Sequence, residues 1–237
     1  MIIAPLILFL AANAIDLDVA TIPLTNDIKL ALTPAERGAR GRSELKREGN
    51  LSQVRIEIDY INPPKTLGPF NTYVVWAVSG EGIFDNLGEL QINGNKGQFN
   101  ATTRFGQFAI LITAEPHYMV DRPSSAIAYR SETPKSDVRR KTVSIEVGSY
   151  DYSSLQPPSS LGVQGWVVQA RAAFQIAKSA GADRLAPDEF RNAQVAIGSL
   201  EELITRAAPA DILWPTANEA MGWSQRAATA ARNKNKN

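Results

Sequence analysis

The sequence predicts an α+β protein with segregated domains, in which an all-β antiparallel sandwich precedes a small helical hairpin or three-helix bundle. Short segments of strand periodicity, separated by glycine and asparagine turns, fill the chain as far as residue 148. Alanine-rich segments with helical spacing begin near residue 163. We therefore divide the chain into a signal peptide (1–14), a sandwich domain (15–148), a linker (149–162), a helical domain (163–232) and a disordered tail (233–237).

Alternation of apolar and polar residues predicts the first strands of the sandwich. Residues 15–32 alternate apolar and polar side chains, as one half-buried strand does, and a hairpin turn is expected at Gly49-Asn50. The segment 51–61 then alternates strictly, and Asn62-Pro63-Pro64 ends it because proline cannot donate to a ladder. One face of that strand is expected to carry Val54, Ile56, Ile58 and Tyr60, and the other Arg55, Glu57 and Asp59.

Six more strands follow at short intervals, with turns that contain glycine or asparagine. We expect Trp76 to belong to the core, since it lies in the middle of an apolar strand. Asn93–Gly97 is expected to form a hairpin turn, because it lacks the ending of a phosphate loop and leads into no helix. The predicted strands are Thr72–Val78, Leu87–Ile92, Gly97–Thr103, Phe108–Ala114, Ser124–Arg130 and Lys141–Val147.

Three helices are predicted in the C-terminal part. The first spans Val163–Ser179 and stops at Gly181, and the second begins at Ala186-Pro187, where a proline is tolerated in the first turn. The third runs from about Pro215 to Arg232. Alanine-rich faces allow close packing of helices. The inward residues of the last two helices are expected to be Phe190, Ala193, Ile197, Leu200, Ile204, Ala217, Ala220, Met221, Ala227 and Ala228. Three tryptophans near helix ends are expected to staple the helices to one another or to the sandwich: Trp166, Trp214 and Trp223.

Composition excludes several functions. The chain has 25 Lys and Arg against 24 Asp and Glu, so its net charge of +1 gives no global attraction to nucleic acid or to an anionic membrane. It contains no cysteine, which removes disulfides, thiolate metal sites and cysteine nucleophiles. We expect neither a nucleic-acid partner nor a cofactor.

The N-terminus predicts export. Residues 2–12 form an apolar run of the length of a signal-peptide core, and Ala12-Asn13-Ala14 is typical of a cleavage site. No basic residue precedes the run, so a buried N-terminal strand or a misplaced start is the alternative interpretation. We expect cleavage after Ala14, a periplasmic or envelope location, and at most peripheral association with the membrane.

Residues capable of catalysis are few. The single histidine, His117, follows a strand in Glu115-Pro116-His117 and is interpreted as a loop residue, since one histidine alone makes neither a metal site nor a catalytic base. A serine hydrolase would need this same histidine, and no G-x-S-x-G elbow is present. Glu81, Asp85 and Glu89 are interpreted as solvated turn acids rather than an acid–base pair or a calcium site. We therefore expect no catalytic or metal-binding residue.

A binding surface is expected from aromatic residues near turns and the linker. Sandwich proteins contact sugars and peptides through such side chains. Which of them share a face depends on strand register. The candidates are Phe70, Tyr118, Tyr129, Tyr150 and Tyr152.

Four motifs occur in order between residues 38 and 131 and carry a resemblance. Thr72–Val78, Leu87–Leu90, Ile112–Pro116 and Pro123–Ser125 resemble the β-sandwich domain at the C-terminus of anti-sigma-K factors, and still more the same module in uncharacterised exported envelope proteins of Gram-negative bacteria. The resemblance implies the fold and an envelope location. It implies no catalytic residue.

A second resemblance covers residues 163–232. Their alanines are similar to those of an alanine-rich helical domain of unknown function found beside OmpA-type domains in outer-membrane proteins. The residues concerned are Ala170, Ala173, Ala177, Gly181, Ala182, Ala186, Pro187, Phe190 and Ala193.

The chain departs from both families. It lacks the sigma-binding region and membrane helix of an anti-sigma factor, and the OmpA-type domain that would hold peptidoglycan. The expected function is a non-enzymatic structural or binding role through protein–protein or protein–glycan contacts. A regulatory, anti-sigma-like module that binds a protein partner through a strand edge is the alternative, and a hydrolase using His117 is the least favoured.

Overall fold

A computed structural model of the chain describes residues 13–24, 27–35, 39–68, 70–132, 139–148 and 165–235. The signal-peptide core and the linker lie outside the described residues. The chain divides into two compact units. The β unit comprises residues 1–62, 74–113 and 121–151, and the helical unit comprises residues 63–73, 114–120 and 152–237. A large antiparallel sheet followed by four helices confirms the predicted fold class.

Eleven strands form the described sheet, and a short 3-10 helix (Pro64–Leu67) follows the fourth of them. The strands are β1 (Asn13–Thr21), β2 (Ile28–Pro34), β3 (Arg40–Glu48), β4 (Leu51–Asp59), β5 (Thr72–Ser79), β6 (Phe84–Glu89), β7 (Gln91–Asn93), β8 (Lys96–Thr103), β9 (Gln107–Glu115), β10 (Ile127–Glu132) and β11 (Arg140–Val147). Their order across the sheet is β11-β1-β9-β10-β2-β3-β4-β8-β7, and β5 branches from β9 and pairs with β6.

Two predicted hairpin turns are confirmed. Gly49 joins β3 to β4 with a φ of 57°, and Gly94 joins β7 to β8 with a φ of 61°. Both backbones lie in the left-handed region, which glycine adopts without a steric cost. These turns place β3, β4 and β8 side by side, so that Glu44 pairs with Arg55 and Arg55 pairs with Asn100.

The single strand predicted for residues 15–32 is wrong, because the chain forms two strands there. β1 ends at Thr21, the backbone N–H of Ile22 donates to the carbonyl of Gly106, and Pro23 has no N–H to continue a ladder. The prediction that Tyr60 shares a face with Val54, Ile56 and Ile58 is also wrong. β4 ends at Asp59, and Tyr60 turns outward with a φ of 60° and 64% of its surface exposed.

The core of the β unit lies against its central strands. All eight residues of β5 are buried, and so are Phe108–Glu115 in β9. The predicted core position of Trp76 is confirmed, since its ring is fully buried and its indole N–H donates to the hydroxyl of Thr113 at 2.8 Å. A strand that is buried on both faces has apolar residues at successive positions, which explains the uninterrupted apolar pattern of Thr72–Val78.

The helices are α1 (Gly165–Ser179), α2 (Ala182–Leu185), α3 (Pro187–Thr205) and α4 (Ala210–Asn235). Gly181 ends the first helical run with a φ of 74°, as predicted, but the short α2 has no clear sequence signal. α4 begins five residues before Pro215, and the proline removes only the hydrogen bond to the exposed Asp211. It also continues through residues 233–235, which the sequence places in a disordered tail.

Alanines form much of the helical core, as their spacing predicts. The inward residues of α4 are confirmed, and the core also takes in Met119 from the loop after β9. Trp166 of α1 meets Trp214 of α4 edge to face at 5.9 Å, which confirms that this pair staples two helices. Arg171 of α1 forms a bidentate ion pair with Glu201 of α3 at 2.6 and 2.7 Å. The fully buried alanines are Ala170, Ala173, Ala177, Ala182, Ala193, Ala217, Ala220, Ala227, Ala228 and Ala231.

Candidate functional site

The outward face of β2, β3, β4 and β8 carries the candidate functional site. Because the side chains of a strand alternate between faces, the register aligns outward residues of neighbouring strands in rows. One row runs Arg42–Glu57–Gln98, the next Glu44–Arg55–Asn100, and the third Lys46–Gln53–Thr102. Charged and amide side chains therefore cover this face as a regular grid.

A shallow cavity of ≈ 540 Å³ opens on this face, lined by β4 and β8 together with Glu89 and Gln91. Two smaller cavities adjoin it, of ≈ 420 Å³ over β2, β3 and β4 and of ≈ 240 Å³ around Lys46 and Gln53. Arg55 lines all three cavities. We refer to the three together as the polar groove.

Cross-strand contacts hold the side chains of the polar groove in place. The guanidinium of Arg42 donates to the carboxylate of Glu57 from Nε at 2.9 Å and also from Nη2. This hydrogen bond and the charge of Glu57 raise the pKa of Arg42. Within β3 itself, Lys46 pairs with Glu48, and this hydrogen bond raises the pKa of Lys46. Since these pairs are exposed, they orient side chains more than they stabilise the fold.

The groove offers both donors and acceptors along its length. Arginine and lysine only donate, carboxylates only accept, and the amides of Gln53, Gln91, Gln98 and Asn100 do both. The aromatic ring that lines it, Phe99, is 9% exposed and belongs to the core. The site is therefore suited to a ligand rich in hydroxyl or amide groups rather than to an apolar one.

His117 is buried and does not lie on an accessible loop surface. Its Nδ1 accepts the backbone N–H of Met119 at 3.0 Å, and its ring stacks on Tyr118 with the centroids 4.4 Å apart. Burial lowers the pKa of His117 to about 3. The ring is therefore neutral at physiological pH, with its proton on Nε2 because Nδ1 is the acceptor. A substrate would reach this ring only if the turn opened, which makes His117 a poor candidate for a catalytic base.

The three turn acids behave as solvated or singly bonded groups. Asp85 accepts a hydrogen bond from Thr103 at 2.7 Å, and Glu89 lines the polar groove. Glu81 is exposed in the turn between β5 and β6. Within the described ranges, no three histidine, aspartate or glutamate side chains are grouped to hold a metal ion.

The structure describes three of the five aromatic candidates. Phe70 and Tyr118 both lie in the helical unit and are partly buried. Tyr129 does not belong to an exposed surface, contrary to the prediction. It faces inward from β10 with 3% of its surface exposed, because the pairing of β10 with β2 places its ring over Gly41. Tyr150 and Tyr152 lie outside the described residues. Of the three described candidates, two therefore belong to the helical unit and Tyr129 belongs to the β unit.

The sequence predicts the polar face of β4 but does not predict the polar groove. The alternation of Arg55, Glu57 and Asp59 was clear, but a groove needs the partner strands and their register. The signal that could have found it is the charged β3 segment, which alternates in step with β4 across the Gly49 turn.

The fold defines a class of protein, an antiparallel β unit joined to an alanine-rich helical unit. No model of a known protein family matches the chain, and no curated protein matches it. The resemblances to the anti-sigma-K sandwich and to the helical domain beside OmpA-type domains therefore stay predictions.

Proposed function

We propose that this is an exported, non-enzymatic cell-envelope protein that binds a glycan through the polar groove. The observation that carries the proposal is the ordered grid of charged and amide side chains on β3, β4 and β8, with Arg55 at its centre. The ≈ 540 Å³ cavity there is of a size that accommodates small-molecule ligands. The class of glycan is an envelope polysaccharide or peptidoglycan.

Hydrogen-bond chemistry supports the proposal of a glycan ligand. Each sugar hydroxyl donates once and accepts twice, so a site that combines Arg55, Glu57 and Gln98 can satisfy adjacent hydroxyls together. An exposed aromatic platform is not among the residues that line the groove. We therefore expect a modest affinity that depends on several hydrogen bonds and on repeated contacts along a polymer.

The start of β1 is compatible with export. Cleavage after Ala14 would remove only two residues of the strand, Asn13 and Ala14, which pair with Val147 and Glu146. The ladder from Ile15 to Ala20 would stay paired with β11. None of the helices in the described ranges is long and apolar enough to span a membrane. The resemblance to exported envelope proteins supports the same location.

Two measurements test export. The intact mass of protein recovered from a periplasmic fraction should correspond to a chain that begins at Ile15. A fusion of the full chain to a reporter that is active only in the periplasm should be active. A reporter that stays inactive, with a protein that keeps residues 1–14, would overturn the exported location.

Binding is tested by co-sedimentation with purified peptidoglycan and by retention on immobilised envelope polysaccharide. Arg55→Ala should reduce retention by about tenfold, since it removes a charged donor that several hydroxyls would share. Arg191→Ala is the matched control, because Arg191 is exposed on α3 in the helical unit. Equal retention of the Arg55→Ala variant and the wild type would refute glycan binding in the groove. A single stoichiometric protein partner in its place would support the regulatory alternative.

A further inference from the structure

Another cavity lies at the far edge of the sheet, apart from the three that form the polar groove. Its volume is ≈ 460 Å³, and it is lined by residues 81–84, 121–122 and 144–146. The first stretch is the turn between β5 and β6 with the start of β6, and the last belongs to β11. All three stretches belong to the β unit.

The cavity runs along a strand edge. Ser144 and Glu146 are exposed on one face of β11, and Ile145 is buried on the other, yet all three line the cavity. β1 occupies one edge of β11 from Asn13 to Ala20. The lining residues from both faces place the cavity beside the opposite edge of β11.

β11 is the terminal strand in the order of the described sheet, where its pairing partner is β1. In an antiparallel ladder, alternate backbone groups of an edge strand point away from its neighbour. At the start of β11, Lys141 Nζ donates to the carbonyl of Gly80 at 2.8 Å. This contact fixes the β5–β6 turn beside the strand, so the space between them is a defined slot and not an open face.

The side chains around the slot indicate what would enter it. Ile83 is 57% exposed and Phe84 is partly buried, which gives the slot an apolar wall. Two exposed carboxylates line the rim of the slot, those of Glu81 and Glu146, and the ammonium of Lys141 beside them is bonded to the Gly80 carbonyl, so negative charge is in excess. An extended segment that alternates apolar and basic side chains would match both the apolar wall and the excess of negative charge.

We propose that β11 binds an extended segment of a partner protein, with alternating apolar and basic residues, by strand addition in this slot. Backbone hydrogen bonds to β11 would supply the affinity, and the apolar wall and acidic rim would supply the selectivity. The site goes beyond the glycan function of the polar groove and rests on different residues.

The test uses the full chain and a capped synthetic peptide of about seven residues, the usual length of a strand, that alternates valine and lysine. Binding is followed by amide chemical shifts of the labelled protein at low salt. We expect saturable binding below about 1 mM, weaker than a complete protein complex because a peptide pays the cost of ordering. The largest shifts should fall on residues 140–147 and 81–84.

Two peptide controls separate strand addition from charge attraction. A lysine-rich peptide with proline at alternate positions keeps the charge but loses every second N–H and favours the polyproline II conformation, so it should pair poorly with β11 and bind at least about tenfold more weakly. A peptide with glutamate in place of lysine should also bind more weakly, because it meets the acidic rim. Equal binding of the proline peptide, or shifts that map elsewhere, would overturn the proposal.

Protein variants complete the test. Glu146→Lys should weaken binding of the valine–lysine peptide by about threefold, while Glu219→Lys makes the same change on an exposed site of α4 and should leave it unchanged. Arg55→Ala should leave peptide binding intact, so a failure of the glycan proposal and a failure of this one are distinguishable. Self-association of the protein through β11, or no binding of the peptide, would contradict the proposed occupant.

Discussion

Replacing His117 should change how the stability of the helical unit depends on pH. His117→Asn is the chosen variant, because the side-chain oxygen of asparagine can occupy nearly the position of Nδ1 and accept the Met119 N–H. His117→Phe is its counterpart, since it keeps a ring against Tyr118 but removes the acceptor. Both substitutions remove the titrating group.

The magnitude follows from the shift in pKa. Burial lowers the pKa of His117 from 6.5 to about 3, so the unfolded chain binds the proton first as the pH falls. Stability is therefore present in full above pH 6.5 and is lost progressively between pH 6.5 and about 3. At pH 5 the loss should be about 2 kcal/mol, and over the whole interval about 5 kcal/mol.

The assay is urea unfolding followed by the helical circular dichroism signal, at pH values between about 4 and 8. Other charged groups lie close, because Arg232 donates to the Met119 carbonyl and the buried Glu115 precedes His117 by two residues. Both stay in the variants, so the difference between variant and wild type isolates the histidine. His117→Asn should be less stable than the wild type at pH 8 by about 1–2 kcal/mol, because of its lost volume, yet its stability should fall less toward pH 5. An identical fall in all three proteins would refute the reasoning.

Four further substitutions test packing, each by the urea midpoint. Trp76→Phe should destabilise the β unit by about 2–3 kcal/mol, because it shrinks a buried ring and leaves the hydroxyl of Thr113 without its indole donor; an unchanged midpoint would contradict this contact. Gly41→Ala should cost about 1–3 kcal/mol, since the new Cβ would lie 2.8 Å from the Cβ of the facing leucine. Gly198→Ala, on an open face of α3, should instead stabilise by about 0.5–1 kcal/mol, and the two alanine variants must differ in sign. Arg171→Lys should cost about 0.5–1 kcal/mol, because lysine cannot form the bidentate pair with its glutamate on α3.

Much of the β unit was predictable because its signals are local. Glycine at a positive φ marks the β3–β4 and β7–β8 hairpins, and strict alternation marks β4. The pairing of β1 with β11 had no such signal, because the two strands are far apart in the sequence and their neighbours are chosen by the whole sheet. The outward turn of Tyr60 was missed for a related reason, since alternation continues past the last paired residue.

The helical unit was predictable where alanine spacing defines a face. Ala217, Ala220 and Ala228 are buried as expected, but the early start of α4 was hidden by Pro215. A proline near a helix N-terminus breaks only one hydrogen bond, so it does not mark the first residue. The inclusion of Met119 in the helical core could not be seen either, because that contact joins residues distant in sequence.

The candidate site was also predictable only in part. The outward character of Arg55 and Glu57 was evident from the sequence, while the polar groove depends on the register of β3 and β8 beside β4. The burial of His117 depends on its surroundings in three dimensions, so a turn beside a proline gave no sign of it.

The central claim, that the polar groove is a glycan-binding site, is tested most directly by chemical-shift mapping. The labelled protein would be titrated with solubilised peptidoglycan fragments and with envelope polysaccharide. The account predicts saturable shifts concentrated on the amides of residues 53–57 and 98–100, and their loss in the Arg55→Ala variant. Shifts that cluster on another surface, or a spectrum unchanged by either glycan, would contradict it.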